Sequence, residues 1–475
     1  MHLQRIQVPD FRVLKDVDIT FEKEFIPRIF PLGSLNGGGK STLLQLIFVL
    51  LHCSTNPSRT IFIKNMFEGF KIQDGFDKRV IALLDVWDAD KSVRLEFFSY
   101  KDSSARNLLF NQDGESEAGD EVDNDISDEA KDDEVDDKAN DDEYIKFSVL
   151  EKPQIIKDEI SKKQQEISVL KEHDKDETIF TEDFLKARNE LKELYKKHDK
   201  AALYSEKTSK YLRLNKLIYI CNYSVNENEN ENDDEVLLCQ IDNVDINKVE
   251  LFLEELSEQV FLAAPATQVF LFISKESRQL LFRNLSNNRD DKNNSYYSEI
   301  QAAKSKLSGF FAYDFLAVDL LIESFKAALD RDSRKAIETG GEYGTSYKEL
   351  IKDLNLILGN KKINPNIELS GVNFQLDRDD KNIELQPEDL SHGELKRLSI
   401  YLWLKSRNIE NAIVLMDEIE IAFHPDWQYQ IILDLQEWAP SNQYILATHS
   451  YELCQALTPA HVKELEPKLI KKQEA

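Results

Sequence analysis

The chain has 475 residues, 41% of them hydrophobic and 31% charged, with a formal charge of −28; this is too long for one compact core and suggests two or three domains. Residues 113–143 hold seventeen Asp/Glu against two Lys, and residues 226–235 add six more acids. The remainder therefore has an ordinary balance, and a uniformly basic nucleic-acid surface is excluded although a local basic stripe is not. The four cysteines, Cys53, Cys221, Cys239 and Cys454, form no CxxC and no Cys/His cluster, which argues against a zinc site or a disulfide framework. Met1 to Arg5 lacks the build of a signal peptide and no run of 18 apolar residues occurs, so a cytoplasmic protein without a membrane partner is expected.

In chain order, Leu3 to Val8, Val17 to Phe21 and Phe25 to Leu32 read as short strands broken by turns and prolines. A glycine-rich turn follows, and Ser41 to Leu51, apolar on nearly every side, reads as a helix buried inside an α/β core. Val80 to Val86 and Ser92 to Ser99 alternate as strands. Residues 113–143 have almost no large apolar side chain and are expected to be a disordered insertion. From Pro153 to Lys200, Ile156, Ile160, Ile167 and Leu170 lie on one stripe and Phe184, Leu191 and Leu194 on another, predicting an antiparallel helical hairpin of about two heptads per arm with its turn at His173 to Phe180. Asn226 to Glu235 reads as a second solvated loop. Residues 247–358 read as mainly helical, with a strand at Gln268 to Ile273. Strands are then expected at Ile367 to Leu369, Val372 to Leu376, Ala412 to Met416 and Tyr444 to Ala447, with helices at Gly393 to Lys405 and Pro425 to Trp438. That alternation predicts a largely parallel sheet with helices on its faces.

Three segments carry chemistry. Ser34-Leu35-Asn36-Gly37-Gly38-Gly39-Lys40-Ser41-Thr42 stands between a strand and a helix, as a phosphate-binding loop requires. Asn36, Gly37, Gly38 and Gly39 would turn backbone N–H groups onto phosphate oxygens at a helix N-terminus. Lys40 would reach the β- and γ-phosphates, Ser41 would ligate Mg²⁺, and Thr42 would touch the α-phosphate. The motif expects glycine where Ser34 stands, with Gly33 one residue early. Ile413 to Met416 is an apolar strand ending in Asp417-Glu418. Asp417 would hold Mg²⁺ and Glu418 would act as general base, although an isolated Asp-Glu is as often a strand running into solvent. Leu390-Ser391-His392-Gly393-Glu394 opens a helix: Gly393 permits close backbone approach to a phosphate, while Ser391 and Glu394 fit a plain capping box equally well.

Together these segments resemble the Walker A, signature and Walker B motifs of ABC-type ATPase heads of the SMC/Rad50/RecF kind and of bacterial defence ATPases. Thr448-His449-Ser450 is similar to their His switch. The resemblance covers about residues 1–100 and 366–456. It implies an α/β fold with a parallel sheet core and an antiparallel β lobe, in two halves at 1–110 and 359–475. The halves would be separated by the acidic insertion, 111–144, and a mainly helical region, 145–358. It further implies ATP and Mg²⁺ as cofactors, Ser391 and Gly393 acting across a head-to-head homo-oligomer on a partner's γ-phosphate, and His449 sensing that phosphate. His392 where Gly is usual and Ile419 where Pro is frequent depart from the pattern. Gln73 as a Q-loop residue, and Phe11 or Arg12 facing adenine, are weaker matches; each reads equally as a surface or packing residue, and His424 reads as structural.

The wording around Leu390 to Lys405, Met416 to Gln430 and Leu446 to Leu453 is most similar to restriction-system-associated ATPases such as Septu PtuA subunits. That likeness implies a regulatory ATPase of an anti-phage defence complex, controlling a separately encoded nuclease, HNH in class with a Toprim-type effector as the alternative, and meeting DNA through the complex. None of the eight histidines forms a His-Asn-His or zincin motif. The short stretch after His449 is expected to leave no space for a nuclease domain. Two other readings stay open: a RecF- or SMC-like DNA-maintenance ATPase that binds DNA itself, and a nucleotide-gated scaffold with little turnover.

Overall fold

The structure, a computed structural model, describes residues 1–34, 37–88, 91–104, 147–173, 182–223, 234–265, 268, 272, 305–313, 317–378 and 381–465. In chain order the strands are β1 (His2–Phe11), β2 (Leu14–Thr20), β3 (Ile29–Gly33), β4 (Lys78–Asp88), β5 (Lys91–Lys101), β6 (Leu217–Tyr223), β7 (Glu235–Asp242), β8 (Val260–Ala264), β9 (Phe310–Ala312), β10 (Lys361–Pro365), β11 (Val372–Arg378), β12 (Lys381–Leu385), β13 (Ile413–Asp417), β14 (Gln443–Ala447) and β15 (Lys463–Glu464). The α-helices are α1 (Lys40–Cys53), α2 (Thr60–Phe67), α3 (Lys152–His173), α4 (Glu182–Leu214), α5 (Val249–Ser257), α6 (Ala317–Thr339), α7 (Ser346–Leu358), α8 (His392–Ser406), α9 (Pro425–Trp438) and α10 (Tyr451–Gln455). The chain divides into two compact units: Met1–Met66, Leu83–Arg94 and Glu250–Ala475 make the first, Phe67–Ala82 and Leu95–Val249 the second.

The first unit is built on a six-stranded parallel sheet in the order β15-β3-β14-β13-β8-β9. β13 and β14 are buried along their whole length, which is why they read as unbroken apolar runs: helices cover both faces of such a sheet. Leu43, Leu44, Leu46, Ile47, Phe48, Val49 and Leu50 of α1 are completely buried, as the all-round apolar pattern predicts. α6 to α9 contribute to a core cluster that includes Phe325, Leu354, Leu398 and Leu435. The antiparallel part comprises the β1–β2 hairpin, the pairing of β1 with Leu83 to Trp87 of β4, and the small sheet β10-β11-β12. The expected α/β fold, a parallel core with an antiparallel lobe, is thus present. Among the described residues, no helix is long and apolar enough to cross a membrane.

The second unit holds α3 and α4, which pack side by side and are bridged by Lys163–Glu190 at 2.7 Å and Gln164–Tyr195 at 2.8 Å. They have 22 and 33 residues, longer than the two-heptad arms read from the apolar stripes, because charged exposed faces continue the helix beyond the point where packing marks it. The antiparallel β6–β7 hairpin belongs here too.

Three readings are corrected. The run Asn226 to Glu235 was expected to be solvated throughout, yet Glu235 is buried, accepting from Ile72 N–H at 2.7 Å and from the Tyr223 hydroxyl at 2.7 Å; a carboxylate is retained inside when such donors replace water. Ile367 to Leu369 is a turn, not a strand, because the Asn366 side chain accepts from Ser370 N–H at 2.9 Å and closes it. Within 247–358, β8 and β9 interrupt the expected helices, since a five-residue apolar run such as Val260 to Ala264 has no periodicity to separate strand from helix. The acidic tract 113–143, and most of the strand expected at Gln268 to Ile273, lie outside the described residues.

A buried imidazole gives the first unit a pH signature. His52 is 1% exposed; its Nδ1 donates to Ser257 O at 2.7 Å and its Nε2 accepts from Gly309 N–H at 3.2 Å. Burial and the nearby Arg59 hold its pKa down at about 4. The unfolded chain protonates this group near pH 6.5 and the folded one only near 4. The stabilisation is therefore complete above pH 6.5 and is lost as pH falls toward 4, an effect of about 3 kcal/mol at most. Denaturant midpoints of the parent should fall across this window, and His52→Gln should flatten the slope by about one proton.

Candidate functional site

The site forms at the ends of three neighbouring parallel strands, β3, β14 and β13. β3 runs into the glycine-rich loop, and Gly39 caps α1 with φ 87°. The left-handed backbone there favours glycine, and an added Cβ would also have to displace the end of the Leu14 side chain, 2.7 Å away at Cδ2. Lys40 is buried, and its Nζ donates to Ser34 O and Ser34 Oγ, each at 3.1 Å. Serine at the position where glycine is usual thus supplies a ligand for the lysine. Burial lowers the Lys40 pKa, against the opposing pull of Glu420, Asp417 and Glu418. Gly37, Gly38 and Thr42 lie in the loop and first turn as expected; Asn36 lies outside the described residues.

Across the sheet, Ser41 Oγ donates to Asp417 Oδ1 at 3.0 Å, joining residues 376 positions apart. Asp417 Oδ2 is buried without a hydrogen-bond partner. Burial raises the Asp417 pKa to about 7; the Ser41 hydroxyl opposes this, while Glu418 and Glu420 add to it. A buried carboxylate with one unpartnered oxygen beside a serine hydroxyl offers hard oxygen donors suited to Mg²⁺. Ser41 and Asp417 would hold that ion, which when bound would neutralise charge on the β- and γ-phosphates. Glu418 is half-buried in the turn after β13, with φ 51° and its N–H on Ala447 O at 2.9 Å.

β14 ends at Thr448-His449-Ser450. Thr448 is buried, the His449 side chain is exposed, and the His449 N–H donates to Glu420 Oε1 at 2.7 Å. Ser450 caps α10 through Leu453 N–H at 2.9 Å. Ser391 caps α8 in the full capping box with Glu394, whose carboxylate also takes Lys361 Nζ at 2.6 Å. Ser391 and His392 are exposed, while Gly393 is buried. A Cβ on Gly393 would lie 2.7 Å from Ala422 O and 3.3 Å from the Trp427 ring. The glycine is therefore required by packing within the chain, whatever it does for a phosphate. Lys40, Ser41, Asp417 and Glu420 are brought together; Ser391 has its hydroxyl on Glu394 rather than on the phosphate loop. Phe11 is fully buried and Arg12 donates to Met66 O, so Phe11 packs in the core instead of facing a nucleotide. Gln73 is exposed. His424 caps α9 through Asp426 N–H at 3.4 Å, the structural role expected of it.

Sequence reasoning missed Glu420 and Lys396. Glu420 is 8% exposed, holds the His449 N–H with one oxygen and leaves the other buried and unpartnered. An acid in an apolar stretch three residues beyond Asp417 was the available signal. Lys396 is buried on the apolar stripe of α8 with Ile400 and Trp403.

A glycine-rich loop and helix hydrogen-bonded to a carboxylate at the ends of the central strands of a parallel sheet is the arrangement of a nucleotide-binding α/β core. The chain belongs to the family of AAA ATPase domains (AAA_15), whose model matches residues 1–454. It is similar to the Retron Ec83 probable ATPase of Escherichia coli, 32% identical over 108 residues that make up 20% of each chain. It is also similar to the Retron Vc95 probable ATPase of Vibrio cholerae serotype O1 biovar El Tor, 32% identical over 91 residues, 17% of this chain and 18% of that one. The matched stretches thus span about a fifth of these relatives. Among solved structures it is similar to an Smc head domain with an extended coiled coil bound to the C-terminal domain of ScpA from Pyrococcus furiosus, with a TM-score of 0.30 and 11% identity over 96% of this chain and 91% of that one. An SmcHead bound to the C-winged helix domain of ScpA gives a TM-score of 0.36 and 8% identity over 96% and 92%.

Proposed function

We propose that the chain is an ABC-type ATPase whose site is completed by a second copy, and that it is the regulatory subunit of an anti-phage defence complex acting on a separately encoded nuclease of the HNH class. The observation that carries the nucleotide chemistry is the Ser41–Asp417 hydrogen bond, which sets a phosphate loop against a carboxylate with a buried, unpartnered oxygen. In this reading Lys40 binds the β- and γ-phosphates and Glu418 takes the proton of the attacking water. That water's oxygen bonds to the γ-phosphorus as the bridging P–O bond breaks and ADP leaves. Ser391, exposed at the start of α8 with its hydroxyl on Glu394, would meet a partner's γ-phosphate together with the backbone at Gly393, and the exposed His449 would sense it.

The defence assignment is supported by partial likeness to two retron ATPases and by the Septu-like wording around the signature and Walker B segments. Closure of two heads is a two-state element, and ATP can bias a bound effector only through contacts that differ between the states. Co-expression with the adjacent gene should yield a complex whose DNA cleavage changes with ATP concentration, while the chain alone cleaves nothing. ATP turnover stimulated by DNA alone, with steep salt dependence and no partner, would instead establish a DNA-maintenance ATPase.

A further inference from the structure

The turn that presents Glu418 is gripped by the signature helix of the same chain. Lys396, in the second turn of α8, is 6% exposed. Its Nζ donates to Glu418 O at 3.0 Å and to Ile421 O at 3.1 Å, and it sits over the Tyr313 ring at 4.1 Å. Burying an ammonium is costly unless its donors are matched, and here backbone carbonyls and a π face replace water. Glu418 and Ala422, at φ 51° and 70°, both lie in the left-handed region without being glycine. Such residues persist only where the surroundings over-determine them. Two contacts from α8 do so: the Lys396 ammonium inside the turn, and Gly393, packed so close to Ala422 O that no Cβ fits.

We propose that Lys396 is a positioning residue for Glu418, so that the signature helix acts within its own chain on the water-activating carboxylate as well as on a partner's nucleotide. Any docking that bears on the exposed Ser391 and His392 is thereby transmitted to Glu418. The inference rests on the reading of Glu418 as general base, and misplacing such a group by about 1 Å costs on the order of a hundredfold in rate.

The test measures ATP affinity and turnover separately for Lys396→Met, Lys396→Arg, Glu418→Gln and the Lys396→Met/Glu418→Gln double variant. Turnover of Lys396→Met should fall about ten- to a hundredfold with ATP affinity within about twofold, and Lys396→Arg should recover part of the loss. In the Glu418→Gln background, Lys396→Met should change the residual rate by less than about twofold, because it acts through a group already removed. Parental turnover in Lys396→Met, an equal loss of affinity and turnover, or effects that multiply in the double variant would each overturn the proposal. Parental turnover in Glu418→Gln would instead sink the base assignment itself. If Lys396→Met does not fold, Lys396→Gln, with its shorter neutral amide, should show the same loss in smaller measure. A folded Lys396→Gln with parental turnover would overturn the proposal equally.

Discussion

A Glu418→Gln chain is expected to bind ATP as the parent does and to lose about two to four orders of magnitude in turnover, the usual share of a general base. The amide has the volume of the carboxylate but cannot take the proton from water. The backbone at this position is held independently of the side chain, by its own N–H on Ala447 O and by Lys396 on its carbonyl, so the substitution leaves the turn in place. With hydrolysis blocked, ATP-loaded chains should accumulate as closed head-to-head assemblies, read by light scattering alongside single-turnover kinetics. Parental turnover in this variant would remove Glu418 from the chemistry.

The second large effect is recovery on mixing. Lys40→Ala removes the buried cation that would anchor the phosphates, and Ser391→Arg places a bulky charge at the exposed start of α8; neither chain should hydrolyse ATP alone. In a freely exchanging equal mixture, half of the dimers pair an intact phosphate loop from one chain with an intact signature from the other at one of their two sites. About a quarter of parental activity should return, as a symmetric interface requires. Demonstrated subunit exchange without recovery would show that Ser391 serves its own chain's site or none.

Much of this was legible in the sequence because each chemical segment sits where two local rules agree. The loop before Lys40 has glycines at the turn and an all-apolar helix behind it, and Asp417-Glu418 closes an apolar run of strand length. Two of the misses share a cause: burial of a charged side chain is set by partners distant in sequence. Glu235 ends an acidic run and was read as solvated, but Tyr223 and the Ile72 N–H draw it inside. Lys396 carries no signal in the sequence because its partners are backbone carbonyls, which no sequence pattern marks. β8 lacked any periodic signature, and only its pairing with β13 identifies it.

The strand order of the parallel sheet also governs how the molecule can be made. β3, complete by residue 33, has β14 at 443–447 on one side and β15 at 463–464 on the other. During synthesis from the N-terminus this strand and the helix after it must wait for most of the chain before either neighbour exists. Non-local pairing of this kind is slow, and it leaves apolar surface and open strand edges exposed meanwhile. Ile29 to Leu32 and the apolar run Leu43 to Leu51 are therefore the segments most in need of chaperone protection on the ribosome, and translation stalled anywhere before residue 443 would release a product prone to aggregate rather than a smaller working ATPase.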